Sequence, residues 1–331
     1  MKKIINNIDD IVSEMVHGIV SSYPQKLKIL PGTLAIARND AAFSDDKKVG
    51  VVSGGGSGHE PLHSGYVGKG MLCAAVCGQI NTSPTPDQIY EAIKYADKGQ
   101  GVLLIVKNYA GDDMNFDMAK ELAEFDDIKV ESILVDDDIS AADDAEDTQG
   151  KRGVAGTVLV EKICGAAAEQ GMELHELAQL GQRVINNTKT VAVALSAATV
   201  PAVGHPGFEL DDDQMEYGVG IHNERGFSTE KIAPSKQIAE ELINKILKSY
   251  DHNTGDYAVL VNGLGSTPLM EQFVFANDVL NLLKEKGIKV SFTKVGNKVT
   301  AIDMHGISLT LMKLENNWIE YLEAPTDAIS W

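Results

Sequence analysis

The residues from Ser53 to Glu60, reading S-G-G-G-S-G-H-E, offer the densest chemistry in this sequence. Gly54, Gly55, Gly56 and Gly58 let backbone N–H groups approach a ligand that a Cβ would keep away, and His59 sets an imidazole beside them. A flexible linker is equally rich in Gly and Ser, but linkers are not usually bracketed by a buried strand and a histidine. The run is not a dinucleotide fingerprint, because His59 stands where the third glycine is needed. It is not a Walker A loop either, since no Gly-Lys-Ser/Thr follows, and His59 also displaces the closing glycine of a G-x-S-x-G elbow. His63, four residues on, has the spacing of a helical metal pair. Pro61 and the glycines disfavour a helix before that point, although Pro61 could itself open one. A second polar cluster runs from Lys107 to Asn115; in it Asp112 reads as a helix cap or as a reactive carboxylate, and Asp113 competes for the cap. The third is His222, with Gly218 and Gly220 before it and Gly226 after it. A lone histidine is more often structural, but glycines on both sides leave this ring accessible. Imidazoles and a carboxylate suit a small oxygenated molecule, a polyol or a carbonyl compound.

Strands must carry these groups. Val49, Val51 and Val52 form a short apolar run, so the glycines are expected as a loop leaving its C-terminal end. Before it, Ile11, Met15 and Ile19 predict an amphipathic helix, and a Pro-interrupted stretch follows to about Arg38. Gly70 to Cys77 reads as a second strand. After it the turn-rich Asn81 to Asp87 opens a helix through Tyr90, Ile93 and Ala96, capped by Thr85 or Asp87. Val102 to Val106 is a continuous aliphatic run fit for a parallel sheet covered on both faces, and Lys107 to Asn115 leaves it where open α/β sheets collect ligands. A helix from about Asp113 to Phe125, a strand from Lys129 to Val135, and helices through Leu159 and from Leu174 to Val184 complete a doubly wound, mainly parallel sheet. Thr190 to Leu195 begins a second α/β domain, continued by Gln237 to Leu247, Tyr257 to Val261, Met270 to Lys286 and Val290 to Thr293. Ile307 to Leu314 and Trp318 to Tyr321 read as a terminal hairpin. The expected domains are residues 1–186, with the glycine run, and 187–331, with His222.

Composition excludes several classes. A chain of 331 residues is long enough for two cores, and its net charge of 29 − 48 = −19 argues against nucleic acid or an anionic membrane as partner. The acidic run Asp136, Asp137, Asp138, Asp143, Asp144, Glu146 and Asp147 reads as solubility, with local repulsion or selection of partners as its alternative. Cys73, Cys77 and Cys164 form an odd, unpatterned set, so a reducing cytoplasm is expected and buried structural thiols are favoured over a metal pair. No apolar signal region and no run of transmembrane length are evident.

Several longer motifs, in order along the chain, resemble the substrate-binding subunit of dihydroxyacetone kinase. They are G-G-G-S-G-H-E-P (Gly54 to Pro61), G-Y-V-G-K-G-M-L (Gly65 to Leu72), T-S-P-T-P-D-Q (Thr82 to Gln88) and V-K-N-Y-A-G-D (Val106 to Asp112). The series continues with M-N-F (Met114 to Phe116), R-G-V-A-G-T-V-L-V (Arg152 to Val160), G-I-H (Gly220 to His222) and N-G-L-G-S-T-P-L-M (Asn262 to Met270). The resemblance implies that His222 binds the substrate carbonyl covalently as a hemiaminal, which selects a ketose over a polyol. By the same resemblance His59 hydrogen-bonds and polarises the substrate, and Asp112 accepts the proton of the hydroxyl that attacks phosphorus. Gly55, Gly56, Ser83 and Lys107 line the pocket, and no metal is held by this chain.

The resemblance also implies a homodimer of two-domain α/β protomers with the site between domains. A separate nucleotide-binding subunit would carry ADP or ATP with magnesium and be recharged by a phosphotransferase protein; no phosphate loop for ATP is found here. Three features depart from the family pattern. The usual G-I-H-G-E-P-G is replaced by Gly220-Ile221-His222-Asn223-Glu224-Arg225-Gly226. Cys73 stands where aspartate is common, and His305 where a small residue is usual. Two functions are therefore expected in contrast: a kinase subunit for dihydroxyacetone or a short ketose such as erythrulose, and a non-catalytic ketose sensor acting as coactivator of a transcription regulator. Retention of Asp112 favours the kinase, because a sensor needs the histidine trap but not the base.

Overall fold

A computed structural model describes residues 2–45, 47–140 and 150–331, so Asp143, Asp144, Glu146 and Asp147 of the acidic run lie outside the described residues. The chain divides into two compact units. One holds Lys2–Val135, Val158–Val184 and Glu320–Trp331, and the other Asp136–Thr157 and Ile185–Ile319. A division between the units falls at Ile185, residues 136–157 belong to the second unit and residues 320–331 to the first.

In the first unit the strands are β1 (Leu27–Ile29), β2 (Ala35–Arg38), β3 (Gly50–Ser57), β4 (Ala74–Ile80), β5 (Val102–Lys107) and β6 (Val130–Val135), in the order β1-β2-β4-β3-β5-β6. β4, β3, β5 and β6 run parallel, and β1 and β2 add an antiparallel edge. The hairpin of β1 and β2 lies in the stretch where no strand was expected. Its strands are three and four residues long, too short for periodicity to announce them.

Apolar patterning explains the layers. Val102, Leu104 and Val106 of β5 join one core with Ile89, Ala92, Ile93 and Ala96 of α2 (Pro86–Ala96) and Phe116, Ala119 and Ala123 of α3 (Ala110–Phe125). Leu103 and Ile105 are buried on the opposite face, so the sheet is covered on both sides, as parallel strands require. On that side α4 (Thr157–Glu169) and α5 (Leu174–Asn186) close in: a Cβ at Gly181 would stand 2.4 Å from Ile133 of β6. α1 (Ile11–Ser22) opens the chain and buries Val12 and Val16. β3 pairs with β4 on one side and β5 on the other, so the loops leaving β3, β4 and β5 fan out from one sheet edge, where such folds bind ligands.

The second unit has a mainly antiparallel sheet of β7 (Thr188–Ser196), β8 (Gln214–Tyr217), β9 (Ser228–Lys231), β10 (Asp256–Gly263), β11 (Lys289–Gly296) and β12 (His305–Lys313). The order is β11-β10-β12-β7-β8-β9, with only β10 and β11 parallel. One face packs Val191, Val193, Val259, Val261, Leu309 and Leu311 against α6 (Ser235–Lys248) and α7 (Leu269–Glu285). The expected terminal hairpin is instead β12 followed by α8 (Trp318–Glu323). Trp318, Tyr321 and Leu322 are all buried, at the i, i+3, i+4 spacing that only a helix turns to one side.

Polar groups of the same sheet hold the segment that follows β6. The fully buried Asp137 carboxyl accepts the N–H groups of Val154 (2.8 Å) and Gly156 (2.7 Å) and the Thr190 hydroxyl (2.5 Å). Burial pushes this carboxyl up to about 6. A raised folded-state value means that the folded protein holds this proton more tightly. Its contribution is therefore complete below the ordinary carboxyl range and is lost as pH rises through about 6. Asp137→Asn sets an NH2 group against backbone donors and is expected to cost about 2 kcal/mol at neutral pH. The gap from the native chain should widen as pH falls toward the ordinary carboxyl range, and urea denaturation of both proteins across that window checks it.

Candidate functional site

The first unit builds its part of the site on three strand ends. Ser53 to Ser57 continue β3 rather than leaving it as a loop, and the turn begins only at Gly58, whose φ of +108° favours glycine. The glycines extend the strand because neighbours press on it where side chains would stand. A Cβ at Gly55 would lie 2.6 Å from Lys107 Nζ and 3.2 Å from Asp112 Oδ2, and one at Gly56 would lie 2.6 Å from the backbone nitrogen of Thr82. Past the turn, the Gly58 N–H donates to both Glu60 carboxylate oxygens (3.0 and 3.2 Å), and His59 is buried.

Lys107 ends β5 fully buried, with Nζ 2.9 Å from Asp112 Oδ2. α3 starts at Ala110 with Tyr109 as its N-cap residue, so Asp112 lies in the first helical turn and is neither the loop residue nor the cap that its neighbour Gly111 suggested. There a carboxylate faces the positive end of the helix dipole and its unsatisfied N–H groups. Ser83, in the loop after β4, is half-buried; a Cβ at Gly111 would sit 3.4 Å from its Cβ, and Asn115 Nδ2 donates to the neighbouring Pro84 carbonyl at 2.9 Å. His59, Gly55, Gly56, Ser83, Lys107 and Asp112 thus gather at the C-terminal edge of β3, β4 and β5.

His63 belongs to a different arrangement from the metal pair its spacing suggested. Its Nδ1 is 2.5 Å from Glu161 Oε1 and 3.0 Å from Ser53 Oγ, in a buried cluster. Among the described residues no group of three or more His, Cys, Asp and Glu side chains is placed to hold a metal ion. The three cysteines are unbridged and buried, and burial pushes the Cys77 and Cys164 thiols up to about 12.

In the second unit His222 lies in the connection from β8 to β9, its side chain one-fifth exposed (20%). Its backbone N–H donates to Glu224 Oε2 at 2.7 Å, and its Nδ1 is 3.9 Å from Glu224 Oε1. Arg152 buttresses this segment. Its guanidinium reaches Asp138 Oδ2 (2.7 and 2.8 Å), Ser140 Oγ (3.0 Å) and the Gly218 carbonyl (2.9 Å), with Nη1 3.9 Å from Glu224 Oε1. Gly220 leaves room for this packing, since a Cβ there would meet Glu224 Oε2 at 2.2 Å and Arg152 Nη1 at 2.6 Å and those side-chain ends would have to shift. Asn223 has φ +71°, and its amide bonds the Ala198 N–H (2.8 Å) and carbonyl (2.9 Å). Asparagine is among the residues that tolerate this left-handed conformation, so it can stand beside His222 where glycine is usual. Arg225 is exposed and meets Thr229 and Glu216, while His305 faces Glu271 at 3.0 Å.

Arg152, Asp138 and Glu224 carry structural weight that the sequence did not assign to them. Asp138, like Asp137, read as part of an acidic surface, yet both are buried and bonded. Arg152 stood inside a recognised motif, but nothing local to it points seventy residues on to Gly218 and Glu224.

The model of the Dak1 domain matches residues 17–330. The chain belongs to the Dak1 family. A relative in Listeria innocua, the dihydroxyacetone-binding subunit DhaK of a PTS-dependent dihydroxyacetone kinase, is 59% identical over 100% of both chains. Among solved structures, the co-activator DhaQ of a dihydroxyacetone kinase operon superposes with TM-score 0.90 at 41% identity, covering 98% of this chain and 99% of that one. The dihydroxyacetone kinase of C. freundii superposes with TM-score 0.88 at 35% identity, over 100% of this chain and 60% of that one. The family thus includes both kinases and a co-activator, and this chain, with its two six-stranded sheets, shares its α/β fold with these solved relatives. Among the described residues no helix is long and apolar enough to cross a membrane.

Proposed function

We propose that this chain is the dihydroxyacetone-binding subunit of a phosphotransferase-dependent dihydroxyacetone kinase, acting on dihydroxyacetone or a related short ketose. The observation that carries the reading is the buried Lys107–Asp112 pair set against Gly55, a base and its counter-charge where a substrate oxygen can be received. A pure ketose trap has no use for a base.

On this reading a neutral imidazole nitrogen of His222 adds to the ketose carbonyl carbon. The new C–N bond forms as the carbonyl π pair moves to oxygen, and that oxygen takes up the proton the imidazole releases, leaving a neutral hemiaminal. Glycerol offers no such carbon. Glu224 and Arg152 hold the His222 segment, and His59 hydrogen-bonds the substrate. Gly55, Gly56, Ser83 and Lys107 receive its oxygens, and Asp112 takes the proton of the attacking hydroxyl. ADP or ATP with magnesium is assigned to the nucleotide-binding subunit, where it supplies the phosphoryl group. The glycines here are committed to β3, packed against Lys107, Asp112 and Thr82, so they form no phosphate loop of their own. A cytoplasmic homodimer of this chain, served by a nucleotide-binding subunit that a phosphotransferase protein recharges, completes the proposal.

Intact-protein mass spectrometry with dihydroxyacetone, followed by a coupled phosphorylation assay with a nucleotide-binding subunit, tests it. An adduct of one ketose mass with turnover is the expected result. An adduct without turnover across several candidate subunits would favour the co-activator reading, to which the likeness at TM-score 0.90 lends support.

A further inference from the structure

Below the Lys107–Asp112 pair lies a second buried polar cluster that the proposed chemistry does not use. His63, Glu161 and Ser53 come from the segment after β3, from α4 and from β3, and all are buried. His63 Nδ1 is 2.5 Å from Glu161 Oε1, while Ser53 Oγ donates to the Ile105 carbonyl at 2.6 Å and turns its lone pair toward the same Nδ1 at 3.0 Å.

The position of this cluster gives it leverage. Ser53 precedes Gly55 by two residues, Ile105 precedes Lys107 by two, and Ser53 and Ile105 are paired across β3 and β5. His63 follows His59 by four, across a turn closed by the Leu62 N–H donating to the His59 carbonyl at 3.1 Å. The same four side chains and backbones therefore tie together the strands carrying Gly55 and Lys107 and the loop carrying His59. Burial, with Lys107 and His59 beside it, pushes the His63 imidazole well below its ordinary value, and burial pushes the Glu161 carboxyl well above its own. The charged and titratable groups around the pair are Lys107 from β5, His59 and Tyr66 from the segment after β3, and Cys164 from α4 itself. Among them the pair is neutral, with the His63 Nδ1–H donating to Glu161 Oε1 and toward the Ser53 oxygen. A neutral hydrogen-bonded pair avoids the cost of two buried charges while remaining directional.

The geometry points to His63 and Glu161 as positioning residues for phosphoryl transfer: their hydrogen bond, braced by Ser53, fixes the His59 loop against the strands that carry Gly55 and Lys107. This inference rests on the kinase reading for its effect on turnover and on the geometry alone for its effect on His59.

Glu161→Leu, which fills similar volume without the hydrogen bond, and Glu161→Gln, which retains one, separate the roles. With the nucleotide subunit present, Glu161→Leu is expected to lower kcat about tenfold, the scale on which misplaced groups lose rate, while the mass adduct on His222 persists. Glu161→Gln should recover to within about threefold of the native rate on the same argument. NMR of the imidazole groups, with His59 assigned through His59→Asn, should show its signals displaced by the leucine and restored by the glutamine. Native kcat and unmoved His59 signals in Glu161→Leu would overturn the inference, as would a glutamine variant as impaired as the leucine one. Should the leucine variant not melt cooperatively, Ser53→Ala removes the brace and is read by the same criteria. If the native protein forms the adduct without turnover, the kinase reading falls and the His59 signals alone decide: displaced and restored, positioning stands; unmoved, it is overturned.

Discussion

Asp112→Asn is expected to reduce phosphoryl transfer by about 10²-fold to 10⁴-fold, the range that a general base contributes, while the ketose adduct on His222 forms as before. The substitution is close to isosteric. An asparagine oxygen can still accept from Lys107 Nζ, now 2.9 Å from Oδ2, so the first turn of α3 and the approach of Gly55 should be preserved. What is lost is the capacity to take a proton, together with the negative charge facing a wholly buried ammonium. An uncompensated buried charge is costly, so some stability will go as well. For that reason the decisive readout is the split between the two half-reactions. Adduct yield by intact mass should be native, and turnover in the coupled assay should collapse. If turnover survived, the base would have to be sought elsewhere, and the strongest argument for a kinase over a co-activator would go with it.

Asp112 is legible in the sequence, because the long motifs place it five residues after Lys107, at the end of an aliphatic run. The run itself, Val102 to Val106, and the helix through Tyr90, Ile93 and Ala96 are read correctly because burial on a fixed period leaves its mark on sequence. Other features leave none. Gly54 to Ser57 read as a loop because glycine suits loops, yet here the strand continues, since Lys107, Asp112 and Thr82 occupy the space that side chains would need. Asp112, beside Gly111, reads as a cap just before a helix, but α3 already begins at Ala110, tertiary context overriding the preference. Trp318 and Tyr321 favour strands by type, but their burial together with Leu322 is helical. The supports of the site are non-local by nature: Arg152 with Glu224 and Gly218, or His63 with Glu161, join residues whose separation carries no pattern.

His222→Ala should abolish the mass adduct and lower kcat/KM for dihydroxyacetone by about 10²-fold or more, on the scale of losing an activated nucleophile. The side chain is one-fifth exposed, and its segment is held through backbone groups and neighbours, namely the His222 N–H on Glu224 Oε2, Arg152 on the Gly218 carbonyl, and Asn223 on Ala198. None of these contacts depends on the imidazole, so removal of the ring is expected to leave the fold intact. The experiment is sharpened by competition. Glycerol has no electrophilic carbon, so its weak occupancy should be the same in the native and alanine proteins, while the preference for ketose over glycerol narrows. Preference that survived unchanged would mean that shape and hydrogen bonding select the ketose, and an adduct that survived would place the nucleophile on another side chain. In the double variant with Asp112→Asn, the losses should fall on separate half-reactions. The adduct then fails through His222 and proton transfer through Asp112, which is the behaviour expected if one residue holds the substrate and the other handles its hydroxyl.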